Sequence, residues 1–260
     1  VLAIQPVTAL VVEAAAFESL VAAYPDIAVV LTHLVAERLG HVSKDALGDT
    51  VLGGYRIKRR LGIGATAVVY RAEHVGTGLT VALKMLSHRL AFDEVAIRRF
   101  HRELDIVERM RHDNVARVYE RFSAFATTFM AMEFVDGRDL ADVVAATGPL
   151  PEATVRALVG QIASALEHVH AHDVVHKDLK PANVMLGRDG HVRLMDFGIA
   201  RPPSDVSGAA EVERLFAGTP RYMAPEQFRM AEADARVDVY ALGCVTHELL
   251  TGLAPFPVDS

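Results

Sequence analysis

Between Tyr55 and Leu86 the chain carries three runs rich in apolar and β-branched residues, Tyr55 to Leu61, Val68 to His74 and Thr80 to Leu86. They are separated by the glycine-bearing turns Gly62-Ile63-Gly64 and Gly76-Thr77-Gly78. That pattern predicts an antiparallel meander. A helix follows, with Ile97, Phe100, Leu104 and Val107 on one face, and then two more strands around Val115 to Phe122 and Thr128 to Phe134. After Gly137 the spacing becomes helical: Val155, Leu158, Val159, Ile162, Leu166 and Val169 mark a long buried helix, and a last helix spans roughly Val237 to Thr251. Short strands with turns are expected from Val174 to Leu194, and a loop rich in Pro, Ser and Gly from Pro202 to Gly208. Strands first and helices later imply an α+β arrangement in two lobes.

Composition narrows the function. Of the 260 residues 51% are hydrophobic and 23% charged, enough apolar material for a buried core. A net charge of -6 argues against nucleic acid as the partner, because phosphate backbones need clustered Lys and Arg. The one cysteine, Cys244, reads as a small buried hydrophobe and fits a reducing, cytoplasmic compartment. No run approaches the roughly 18 apolar residues of a membrane span. The apolar first residues lack a basic leader and are interrupted by Glu13, so they are not read as a signal peptide.

Four clusters carry chemistry. Gly62-Ile63-Gly64-Ala65-Thr66-Ala67-Val68-Val69 lies between two strands, which rules against a dinucleotide fingerprint, since that must open a helix. Its glycines let backbone N–H groups approach phosphates, although a plain hairpin turn reads the same way. Val81-Ala82-Leu83-Lys84 projects an amine from a strand, and Glu103 stands 19 residues later on the amphipathic helix, where it can pair with that amine. A lone strand lysine would more often be a solvated edge residue. The strongest signal is His176-Lys177-Asp178-Leu179-Lys180-Pro181-Ala182-Asn183, followed 13 residues after Asn183 by Asp196-Phe197-Gly198. Acid and amide oxygens suit hard Mg2+, which keeps waters and shares substrate phosphates.

In this order and spacing the clusters resemble the signature set of the bacterial-type Ser/Thr protein kinase catalytic domain. The resemblance runs from about Tyr55 to the end and includes Ala224-Pro225-Glu226. Asp238-Val239-Tyr240-Ala241-Leu242-Gly243 resembles the family's helix whose Asp braces the catalytic loop. It implies a bilobal fold, a small antiparallel sheet over a mostly helical lobe, and transfer of the ATP γ-phosphoryl group to a protein hydroxyl. Lys84 would orient the phosphates and pair with Glu103. Asp178 would accept or orient the hydroxyl proton, and Lys180 would neutralise charge near the γ-phosphate. Asn183 and Asp196 would hold Mg2+. Leu61, Gly62 and Gly64 would cover the nucleotide, and Val69, Ala82 and Met185 would sandwich adenine. Met132-Glu133-Phe134-Val135 would be the hinge, with Met132 as gatekeeper and Glu133 and Val135 at the base. Lys180 and Gly218-Thr219-Pro220 resemble the Ser/Thr class.

The sequence departs from that pattern in places. Ala67 replaces a third glycine, and Lys177 stands where the family usually has Arg, which keeps charge but loses bidentate geometry. That puts dependence on loop phosphorylation in doubt; Ser204 and Ser207 are candidate sites. The chain begins without Met, and it ends before the helices whose Arg would pair with Glu226, so both ends read as those of a fragment with exposed apolar surface. Domain limits follow as 1–42, a linker 43–54, an N-lobe 55–134 and a C-lobe 135–260. In the first segment, Val7 to Val12, then Phe17-Glu18-Ser19-Leu20, then Pro25 through Leu39 resemble the last strand and closing helices of a cyclic-nucleotide-binding domain. An arbitrary helical hairpin reads the same way. That family's phosphate-binding cassette would lie before residue 1, so no nucleotide ligands are assigned there. The alternatives to a kinase are a pseudokinase or scaffold that binds nucleotide without turnover, and a small-molecule phosphotransferase. The complete activation segment disfavours the last.

Overall fold

The computed structural model describes residues 13, 16, 19, 20, 23 and 24 near the start, then 51–64, 67–86, 104, 105, 107–124, 127–197, 220–228 and 234–256. The resemblance of residues 7–39 lies outside the described residues, apart from helical positions around Leu20, whose carbonyl accepts from the Tyr24 N–H at 2.9 Å. Gly198, Ser204 and Ser207 also lie outside them, as does Glu103.

Among the described residues, six strands form one antiparallel sheet: β1 (Val51–Leu52), β2 (Tyr55–Ile63), β3 (Ala67–His74), β4 (Thr80–Leu86), β5 (Val118–Ala124) and β6 (Thr127–Glu133). Their order is β1-β2-β3-β4-β6-β5. The sheet takes in Val51 and Leu52 from the stretch read as linker. Gly53 and Gly54, at φ 55° and 86°, make the tight turn that lets Leu52 pair with Tyr55. Val115, expected to open a strand, instead makes a single parallel bridge to Leu194.

The pleat of β4 gives it two faces. Val81, Leu83 and Met85 join Tyr55, Ile57, Tyr70 and Phe129 in the outer core of the sheet. Ala82 and Leu86 belong to the second core, which continues into the other lobe through Val184 and Leu194. Each fully buried aliphatic side chain of this kind contributes about 1.5–3 kcal/mol.

The second lobe starts with β7 (Gly137–Asp139), a strand that the helical pattern after Gly137 conceals. It pairs with β8 (Val184–Gly187), which pairs with β9 (Val192–Leu194). A Cβ on Gly137 would stand 2.0 Å from the Leu186 carbonyl oxygen, so the two strands approach as glycine alone permits. Helix α1 (Leu140–Thr147) follows, capped by Asp139, whose Oδ1 accepts from the Asp142 N–H at 2.8 Å. Helix α2 (Glu152–His170) buries Val155, Leu158, Ile162, Ala165, Leu166 and Val169, the stripe expected from spacing. After a short 3-10 turn at Pro181–Asn183 and the pair β8–β9 come α3 (Pro225–Phe228) and α4 (Arg236–Thr251). Gly252, left-handed at φ 76°, ends α4 and donates to the Glu248 carbonyl at 2.8 Å. Cys244 is buried in this helix, and burial pushes its thiol pKa up. Val239, Leu253 and Phe256 are exposed. No helix of the described residues is long and apolar enough to cross a membrane.

Candidate active site

The cleft between sheet and helices is organised by one buried carboxylate. Asp238 sits in the first turn of α4, and its side chain is 1% exposed. Its Oδ2 accepts the His176 N–H at 2.7 Å and its Oδ1 accepts the Lys177 N–H at 2.8 Å. His170, at the end of α2, adds its Nε2 to Oδ2 at 2.8 Å. Lys177 is thereby held at φ 64°, a left-handed conformation that costs a non-glycine residue about 1–3 kcal/mol.

His176 is fully buried between the loop and Asp196. The Asp178 N–H donates to its Nδ1 at 3.2 Å, and its Nε2 lies 2.9 Å from the Met195 carbonyl. Only the neutral ring with its proton on Nε2 satisfies both. Burial holds the pKa below the ordinary 6.5, against the opposing pull of Asp238, the Met195 carbonyl, Asp178 and Asp196. The unfolded chain therefore binds the extra proton first, so this histidine's contribution to stability is complete above about pH 6.5 and falls as pH drops below it. The expected result in an NMR titration of the native protein is a His176 ring that shows no protonation step near 6.5.

The loop then delivers its functional groups. The Asp178 Oδ2 accepts from Lys180 Nζ at 3.0 Å and from Asn183 Nδ2 at 3.1 Å. Asn183 Nδ2 also donates to the Asp178 carbonyl at 2.8 Å, which turns the amide oxygen of Asn183 away from Asp178. Its backbone carbonyl accepts from Met195 N–H at 2.8 Å, tying the loop to the residue before Asp196.

Asp196 is reached from the other lobe. Lys84 on β4 donates to its Oδ1 at 2.7 Å. The amine is 10% exposed and the carboxylate 39%. Burial pushes the Asp196 carboxyl up, but Lys84, with help from His176 and Lys180, outweighs it and holds the pKa below the ordinary 3.8, so the group is ionised at neutral pH. Asp196 adopts φ 52°, a left-handed conformation that aspartate tolerates better than most residues. Phe197 is buried against the His176 ring, with centroids 5.0 Å apart.

The remaining sequence-predicted residues fall around this centre. Val69 pairs across the sheet with Lys84, and Ala82 pairs with Met132. Lys84, Met132 and Asp196 line one pocket, with Leu86, Val107 and Met130 behind them. Met185 on β8 pairs with Asp139 and Arg193. Glu133 ends β6, and Val135 follows half-buried. Leu61, Gly62 and Gly64 are exposed at the tip of β2, where Gly64 N–H donates to the Ala67 carbonyl at 2.8 Å. The structure thus brings Lys84 to Asp196, and Asp178 to Lys180 and Asn183. The expected pairing of Lys84 with Glu103 lies outside the described residues.

Sequence reasoning missed three supports. Gln227 accepts from Ala224 N–H at 2.9 Å and donates to the Lys177 carbonyl at 3.2 Å, joining the Ala224-Pro225-Glu226 segment to the loop. Tyr222 donates to Glu248 on α4. Asn114 donates to Gln161 at 2.9 Å and to the Val192 carbonyl at 3.0 Å, fastening the segment before β5 to α2 and β9. Each joins residues at least 26 positions apart or lacks a spacing signal, so pattern alone did not reveal it.

A bilobal fold with Lys84 and Asp196 in contact across the cleft, and a carboxylate-lysine-amide loop beside them, defines a protein kinase catalytic domain. Residues 55–260 match the protein kinase domain family, and the chain belongs to it. The chain is 38% identical over 222 residues to the serine/threonine-protein kinase PknH of Mycobacterium bovis, covering 84% of this chain and 36% of that protein. It is 37% identical over 221 residues to the serine/threonine-protein kinase pkn3 of Myxococcus xanthus, covering 82% of this chain and 40% of that one. The chain therefore spans little more than a third of the length of these relatives. Among solved structures, the kinase domain of Mycobacterium tuberculosis PknI matches with a TM-score of 0.68 at 33% identity, over 82% of this chain and 79% of that one. Rad53 in complex with AMP-PNP matches with a TM-score of 0.67 at 32% identity, over 80% of this chain and 51% of that one. The domain is of the bacterial serine/threonine-protein kinase type.

Proposed function

We propose that this chain transfers the γ-phosphoryl group of Mg-ATP to a serine or threonine hydroxyl of a protein. The observation that carries the reading is the 2.7 Å contact of Lys84 with Asp196, beside a loop in which Asp178, Lys180 and Asn183 are bonded to one another. Lys84 is placed to exchange its carboxylate partner for nucleotide phosphates. Asp178, its carboxylate oriented by two donors, is the group that takes or directs the acceptor hydroxyl proton. Lys180 offsets charge gathering on the transferred phosphoryl group. With a loose transition state, positioning and charge neutralisation supply most of the rate.

The donor set fits Mg2+. Asp196 offers an ionised carboxylate and Asn183 an amide oxygen turned away from Asp178, both hard oxygens of the kind this ion takes alongside phosphates and water. When bound, the ion would neutralise and orient the phosphates. Val69, Ala82 and Met185 would enclose the adenine, Met132 would close the back of its pocket, Glu133 and Val135 would meet its edge, and Leu61, Gly62 and Gly64 would cover the phosphates. Lys84 and Glu103 would pair. Ser204 and Ser207, in the stretch of sequence before Ala224, are candidate phosphorylation sites. A buried thiol and ATP chemistry support a cytoplasmic setting. The pattern of residues 7–39 supports regulation by a cyclic-nucleotide-binding module, which addition of cyclic AMP or cyclic GMP to the whole protein would test through its rate.

Radiolabelled ATP and a generic basic protein test the reaction. Label is expected in the acceptor with Mg2+, none with EDTA, and none with Asp196→Asn. Nucleotide binding without label in any acceptor would defeat the reading in favour of a scaffold.

A further inference from the structure

Glu133, at the end of β6, is held by its side chain as well as its backbone. Its Oε1 accepts from Arg193 Nε at 3.2 Å, and its Oε2 accepts from the Arg117 N–H at 3.2 Å. Its own N–H donates to the Arg117 carbonyl at 2.7 Å. Arg193 lies on β9, opposite Met185 and three residues before Asp196. Its side chain is 18% exposed, and the guanidinium also reaches Asp189 Oδ2 and the Val192 carbonyl, each at 3.4 Å. β9 is fastened a second way: Leu194 N–H donates to the Asn114 carbonyl at 2.8 Å, and Ala116 N–H donates to the Leu194 carbonyl at 3.0 Å. These links form a closed circuit from β9 through residues 114–117 to Glu133, and back to β9 through the guanidinium. One side of the circuit carries the segment proposed to meet adenine. The other carries the strand that runs into Asp196.

We propose that Arg193 is a positioning residue for the nucleotide, fixing the distance between the base-binding end of β6 and the phosphate- and metal-binding Asp196. The inference rests on the kinase reading above. A ligand of fixed length gains both end contacts only where the two subsites already stand at its own spacing; otherwise binding must order them. Without Arg193 the Glu133 carboxylate loses the guanidinium that neutralises it, while the backbone bond to Arg117 remains. The fold therefore persists and the spacing loosens. A lysine keeps the charge but has no Nε–H at the branch of a planar fork, so it restores the link only in part.

The test compares wild type with Arg193→Met, Arg193→Lys and Glu133→Gln. Arg193→Met is expected to raise the KM for Mg-ATP about 5- to 20-fold, the size of one lost charge-assisted bond. Its kcat at saturating Mg-ATP should stay within about threefold of wild type, the signature of lost binding shared by ground and transition states. Lysine should recover most of the KM. Glu133→Gln should raise it in the same direction, and adding it to Arg193→Met should give no further rise, because both remove one interaction. A KM for Mg-ATP within about twofold of wild type in Arg193→Met, whatever its melting temperature, overturns the proposal, since a purely structural pair predicts that result. Should Arg193→Met not fold, Glu133→Gln decides it by the same limit. If wild type binds Mg-ATP but transfers no phosphate, the kinase reading has failed, and the calorimetric Kd for Mg-ATP in Arg193→Met still decides this inference: an unchanged Kd overturns it. Absence of nucleotide binding by wild type overturns both.

Discussion

Asp178→Asn lowers the turnover of phosphoryl transfer by about 10²- to 10⁴-fold, the range that a positioned proton acceptor supplies, and leaves Mg-ATP binding and the melting temperature near those of wild type. Asparagine matches aspartate in shape. Its amide oxygen can still accept from Lys180 Nζ or Asn183 Nδ2, which reach the carboxylate at 3.0 and 3.1 Å. The loop backbone is held elsewhere, by Asp238 and His176, so it does not depend on the lost charge. What disappears is an oxygen able to take or direct the hydroxyl proton. Initial rates at saturating Mg-ATP, with nucleotide affinity measured separately, test this. A variant that keeps more than about a tenth of the wild-type rate would remove Asp178 from the proton-handling role.

Asp238→Ala has the larger effect on the protein itself, about 3–5 kcal/mol of lost stability, the sum expected when three donors lose one shared buried acceptor. The substitution strands the N–H groups of His176 and Lys177 and the imidazole of His170 at a position that is 1% exposed. Each unmade buried hydrogen bond costs about 1–3 kcal/mol. It also releases Lys177 from φ 64°, and with it the orientation of Asp178 one residue later. Denaturant titration should show a lower midpoint, and the folded fraction should still be nearly inactive. Asp238→Asn, which keeps one oxygen acceptor, should fall between the two. A variant as stable as wild type would mean that the loop finds its conformation without this carboxylate.

The site was legible where chemistry is written into short stretches. His176 to Asn183 and Asp196-Phe197-Gly198 announce an acid, a cation and metal-binding oxygens by residue type and spacing alone, because such groups cluster within a few residues of a turn. The long helix was legible because its buried residues from Val155 to Val169 keep helical spacing over many turns. Contacts made across the sequence were not. Glu133 and Arg193 are 60 positions apart, and Asn114 and Val192 are 78 apart, so neither periodicity nor motif spacing links them. β7 was hidden for a different reason: its three residues, Gly137–Asp139, have no apolar alternation and owe their extended form to pairing with β8. The Lys84 amine meets Asp196, as convergence of the motifs in one cleft requires, while its expected pairing with Glu103 lies outside the described residues.

The two-faced strand β4 carries a further consequence. Ala82 and Lys84 share the cleft side, about 6.6 Å apart by strand geometry, while Val81, Leu83 and Met85 point into the outer core. Point substitutions can tune either side independently of the other. Losing or gaining one residue within the strand cannot, because it would rotate the ammonium into an oily interior and turn a leucine or methionine toward the cleft. Descendants of this sequence can therefore change in spelling along β4, but not in length.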